Sequence, residues 1–94
     1  MINELHRRHN QALQRIADIK SEIKNLENEK KELETESYIK ARVLSEPLTR
    51  RDPETLKEYG QRLKSIQRRT REIETTIDRL LEERNRISKP TNET

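Results

Sequence analysis

The sequence predicts an all-α fold: an antiparallel two-helix coiled-coil hairpin that self-associates into a four-helix bundle. Three observations carry this expectation. Apolar residues recur in steps of three and four along two long segments, which lays one stripe on each helix for a partner helix to cover. A break bounded by prolines separates the segments. The 94 residues are 41% charged, 28% hydrophobic and 2% aromatic, too little apolar mass for a thick core, while the net charge of +3 is too small to force disorder.

Helix 1 is expected over about residues 2–45. Its stripe runs through Ile2, Leu5, His9, Ala12, Ile16, Ile19, Ile23, Leu26, Lys30, Leu33, Ser37 and Lys40, at alternating "a" and "d" positions of a heptad. The other faces are Glu, Lys, Arg, Gln and Asn, good helix formers that stay hydrated. Pro47 disfavours helix at the residue before it, so the chain turns over 46–52. Asp52 reads as the N-cap of helix 2, with Pro53 at its first position and Glu54 near the positive end of the dipole. Helix 2, expected over about 53–88, carries its stripe on Leu56, Tyr59, Leu63, Ile66, Thr70, Ile73, Ile77, Leu80, Arg84 and Ile87. Residues 1–89 thus read as one hairpin and 90–94 as a flexible tail.

Charges select the register. Placing Ile23 opposite Ile73 also places Ile19 opposite Ile77, Ile16 opposite Leu80 and Leu33 opposite Leu63. The flanking "g" positions then pair Glu36 with Arg62, Glu29 with Arg69 and Arg15 with Glu83; on the "e" flank Lys20 meets Glu74 and Leu13 meets Leu81. A slip of one heptad would set Glu22 against Glu83 and Glu27 against Glu74, so like charges penalise it. Leu13 and Leu81 widen the stripe, the pattern of a helix packed on more than one neighbour. Tyr38, Ile39, Val43 and Leu48 lie off the stripe near the turn and are expected to pack over the loop; the other reading is an exposed apolar contact patch.

The segment Asp52-Pro53-Glu54-Thr55-Leu56-Lys57-Glu58-Tyr59, followed by Leu63, resembles the turn and second-helix start of type III secretion needle subunits, which are also short helical hairpins. The resemblance stops there: the first helix is longer and far more charged than in that family, and the second half lacks the family's aliphatic end. An Asp-Pro cap followed by heptad spacing produces most of it, so no family property is carried over.

Several function classes find no support in the residues. No nucleophile has a plausible base, no glycine-rich loop cradles phosphate and a two-helix rod has no concave pocket, so neither enzyme activity nor a small-molecule substrate is expected. Without cysteine there is no disulfide framework or thiolate metal site. His6 and His9 share a helix face, yet two imidazoles need further ligands and Ile87 and Ser88 lie opposite, so no metal or cofactor is expected. Neither a signal peptide nor a long apolar run is evident, which points to a cytoplasmic chain with no membrane partner. Asn92-Glu93-Thr94 matches a glycosylation sequon, read as chance in such a chain. Gly60, the one glycine, sits on the "e" flank, where it either admits another helix closely or is neutral.

What remains is recognition. The expected function is a protein–protein interaction module, structural, scaffold, adaptor or chaperone-like, whose partner is another protein or a second copy of itself. Leu13, Ile16, Ile19, Ile77, Leu80 and Leu81 are the candidate adhesive residues, and the polar stripe positions Lys30, Thr70 and Arg84 the candidates for register and partner choice. The alternative is nucleic-acid binding through Arg50, Arg51, Lys64, Arg68 and Arg71. It is the weaker reading because Arg62 and Arg69 of the same basic run are engaged across the seam and no aromatic interleaves to stack on a base.

Overall fold

The computed structural model describes residues 2–48 and 51–88, with side chains from Glu4 onward. It contains two helices, α1 (Ile2–Leu44) and α2 (Pro53–Ser88), folded back on each other as an all-α hairpin. The rod measures 72 × 22 × 15 Å. Arg50 and the tail 90–94 lie outside the described residues.

The helix ends follow from local chemistry. Glu4 and Glu54 sit in the first turns and Arg42 and Arg86 in the last, each facing the complementary end of the helix dipole. Past Leu44 the Ser45 N–H donates to the carbonyls of Ala41 and Arg42, both at 3.2 Å, the Glu46 N–H donates to Val43 at 3.1 Å, and the Ser45 hydroxyl donates to Arg42 at 2.7 Å. These tightened bonds satisfy carbonyls that a continuing helix would have used, without a residue at positive φ. Asp52 caps α2. Its Oδ1 accepts the N–H groups of Glu54 and Thr55 at 3.2 and 3.3 Å, its Oδ2 accepts the Thr55 hydroxyl at 2.8 Å, and these bonds hold the carboxyl below its ordinary range.

The core is a seam one layer thick. Ile19, Ile23, Ile66, Ile73 and Leu80 are the buried apolar side chains among the described residues, with Leu26, Ile77, Leu81 and Ile87 packed partly against the Ile19–Ile23–Leu80 cluster. Three bidentate ion pairs fix the register. Arg62 donates to Glu36 at 2.6 and 2.8 Å, Arg69 to Glu29 at 2.6 and 2.9 Å, and Arg15 to Glu83 at 2.5 and 2.9 Å, the three "g" pairs the sequence calls for.

Two expectations are corrected. Lys20 does not reach Glu74; Glu74 takes Lys30 instead, at 3.2 Å. Side chains lean toward the N-terminus of their own helix, so in an antiparallel pair Lys30 and Glu74 converge while Lys20 and Glu74 lean apart. Nor do Tyr38, Ile39 and Leu48 fold over the loop: all three are exposed, and only Val43 is half-buried. Tyr38 and Ile39 occupy "b" and "c" positions on the back of α1, from which neither faces the turn.

Candidate interaction surface

The two flanks of the seam differ. On the "g" flank the carboxylates of Glu29, Glu36 and Glu83 are half-buried and each is gripped by an arginine fork. Hydrogen bonding from Arg62, with the charges of Arg62 and Lys40 adding to it, holds the Glu36 carboxyl down at about 2; Arg69 and Arg15 lower Glu29 and Glu83 in the same way. The guanidinium partners move up reciprocally. Arg15 also reaches Glu22 at 3.2 Å and Arg69 reaches Glu72 at 3.3 Å, so this flank is laced along most of its length.

The "e" flank is open. Leu13, Lys20, Glu27 and Glu34 of α1 are exposed along it, as are Gln67 and Glu74 of α2. Lys30 to Glu74 is its one interhelical ion pair among the described residues. A shallow groove runs between the helices here, floored by Ser37, Ile66 and Thr70 and rimmed by Glu34 and Glu74. Its cause is sequence: Ser37 and Thr70 are short where a seam position usually carries Leu or Ile.

The six adhesive candidates separate into two groups. Ile19 and Leu80 are buried between α1 and α2 and hold the hairpin together. Leu13 is 52% exposed, and Ile16, Ile77 and Leu81 are partly covered, so a partner can reach them without opening the seam. Of the register candidates, Lys30 turns outward to Glu74, Thr70 floors the groove, and Arg84 is half-buried near the open end, where the expected layer sets it against the small Ala12.

Arg51, Lys64, Arg68 and Arg71 are exposed, and none of them forms an ion pair with a described residue. Arg68 lies with Glu72 and Arg79 on the outer face of α2 and Arg71 stands between that face and the groove over Ile66, whereas the exposed aromatic, Tyr38, is on α1. The exposed ring and the basic run are therefore on different helices, and the ring on α2, Tyr59, is half-buried under Lys40. His6 and His9 are both exposed, and no group of three His, Cys, Asp or Glu among the described residues is placed to hold a metal ion.

One contact was not legible in the spacing. Lys40 places its ammonium 4.6 Å from the Tyr59 ring centroid while also pairing with Glu36 at 3.5 Å, which closes the seam near the turn where apolar residues run out. Its signal was two polar-tipped "d" residues in neighbouring layers with an acid one turn before the lysine. No helix among the described residues is long and apolar enough to cross a membrane. No family model, curated protein or solved structure matches the chain.

Proposed function

We propose that the chain is a non-enzymatic, cytoplasmic protein–protein interaction module, a scaffold, adaptor or structural component that acts by packing its hairpin into a helical bundle. The observation that carries this reading is the surface left over. The chain exposes 8108 Å², whereas a compact monomer of 11.3 kDa would expose about 5,700 Å². The excess of about 2,400 Å² is larger than the ~800 Å² that each partner contributes to a standard interface. Exposed Leu5, Leu13, Tyr38, Ile39 and Leu48 lie within that surface. Leu13, Ile16, Ile77 and Leu81 supply adhesion, and Lys30, Thr70 and Arg84 with the neighbouring charges restrict which helix can pack beside them.

The test is affinity capture of the tagged chain from its native host, with an untagged copy co-expressed and both retained protein and nucleic acid quantified. Wild type should retain a protein in near-stoichiometric amount, either the untagged copy or another chain, and Leu13→Glu should release it. Retention of nucleic acid alone, lost steeply as salt rises, would overturn the reading in favour of the basic face of α2.

A further inference from the structure

We infer that the open flank is the docking surface for a second copy of this chain, turned end for end about a two-fold axis at the middle of the rod. This rests on the association reading above and adds to it the occupant, the face and the orientation.

The closed flank cannot serve. Its three arginine forks already hold two carboxylate oxygens each, so a partner there would have to break bidentate pairs before making any. The open flank offers both halves of a fit. Toward the open end of the hairpin Leu13 stands proud with Leu81 beside it; toward the turn lies the groove over Ile66, between the short side chains of Ser37 and Thr70.

Position along the rod selects the orientation. In the observed register Leu81 lies near the level of residue 15 of α1, close to Leu13, and Ile66 lies near the level of Lys30. The two features are about 25 Å apart at ~1.5 Å per residue. A two-fold axis midway between them passes close to Ile23, and Ile23 is also the midpoint of α1 (Ile2–Leu44). One axis therefore seats the leucines of each copy in the groove of the other and overlaps the two rods along their full length.

Charge agrees with the same axis. It carries Lys20 of one copy to the level of Glu27 of the other, on the same exposed flank. A two-fold axis along the rods would instead set α1 of each copy on α2 of the other at matched levels, so leucines would meet leucines at one end and groove would face groove, unfilled, at the other. The surface excess of about 2,400 Å² per chain is enough to supply such an interface.

Sedimentation equilibrium and spin-label distances test this together. Wild type should sediment at twice 11.3 kDa. Leu13→Glu should raise the dissociation constant at least about 100-fold with helicity unchanged, because it places a carboxylate in the groove of the other copy. Lys20→Glu should weaken the dimer several-fold and Glu27→Lys in the same chain should restore it, while Arg68→Glu on the outer face should leave it intact. The chain has no cysteine, so Tyr38→Cys and Lys24→Cys label single sites. In the end-for-end dimer the Tyr38 labels lie about 45 Å apart along the rod and the Lys24 labels about 3 Å apart along it.

A fully helical monomer overturns the inference, as does a dimer indifferent to both Leu13→Glu and the Lys20/Glu27 pair. Equal separations at the two label sites overturn the orientation. A monomer that nevertheless captures a different protein, released by Leu13→Glu, would refute self-docking and leave the proposed function standing; a monomer that captures none would refute both.

Discussion

Replacing Ile73 by alanine probes the seam at its most enclosed point. Ile73 is 0% exposed, and the expected register sets it opposite Ile23. The substitution removes three carbons, about 2.4 kcal/mol of transfer free energy at ~0.8 kcal/mol each. A seam two helices thick can close over the space left behind, which puts the total near the low end of the ~2–5 kcal/mol range for buried aliphatic truncations, at about 2.5 kcal/mol. In urea, with a slope of ~2 kcal/mol/M, the midpoint of the far-ultraviolet circular dichroism transition should fall by about 1.2 M. Leu5→Ala is the control: it removes as many carbons from the facing stripe on α1, but Leu5 is 64% exposed, so the expected loss is about 0.9 kcal/mol and under ~0.5 M. Equal shifts for the two variants, measured at one protein concentration, would refute the layer assignment.

Glu29→Arg alone should destabilise the hairpin, and adding Arg69→Glu should restore part of the loss, only part because Glu72 then faces a second acid; a double-mutant cycle without coupling would contradict the pair. Acid should weaken the fold in a defined window. The Glu29, Glu36 and Glu83 carboxyls are lowered in the folded chain, so their contribution is fully present above their ordinary value of 4.5 and is lost as pH falls toward about 2, where Glu36 titrates. Thermal midpoints that stay flat from pH 5 to pH 2, or an equally large fall in the Glu29→Gln/Glu36→Gln/Glu83→Gln variant, where only the lowered Asp52 cap carboxyl of this set remains, would contradict this. Gly60→Ala should raise the stability of the single hairpin by about 0.8–1 kcal/mol, since Gly60 lies inside α2 with nothing of its own chain within 4 Å of an added methyl; because Gly60 lies on the open flank, a urea midpoint that falls only at concentrations where the chain self-associates would place the second copy in that space, and a lower midpoint in the monomer would contradict the prediction.

Much of the fold was legible because several local rules agree. Pro47 forces the turn, Asp52 and Pro53 restart the helix, and acids late in α1 face bases in the middle of α2 in only one register. The failures have physical causes. Heptad letters treat side chains as points on a flank, so they paired Lys20 with Glu74 and missed the lean that gives Glu74 to Lys30. The same letters kept Lys40 and Tyr59 in separate layers, although a long stem spans the gap between them. Whether Tyr38, Ile39 and Leu48 cover the loop depends on the path of the turn, which no periodicity encodes. The candidate surface was half legible: Leu13 and Leu81 announced a widened stripe, but only packing separated them from Ile19 and Leu80, which the hairpin uses for itself. The inequality of the flanks appeared once the arginine forks were seen to close one side.

Small-angle X-ray scattering at micromolar concentration tests the central claim most directly, because forward scattering gives mass and the pair-distance function gives length. A second copy packed along the open flank should double the 11.3 kDa mass while the longest dimension stays near 72 Å. A mass of 11.3 kDa at full helicity, or a doubled mass with a doubled length, would contradict it.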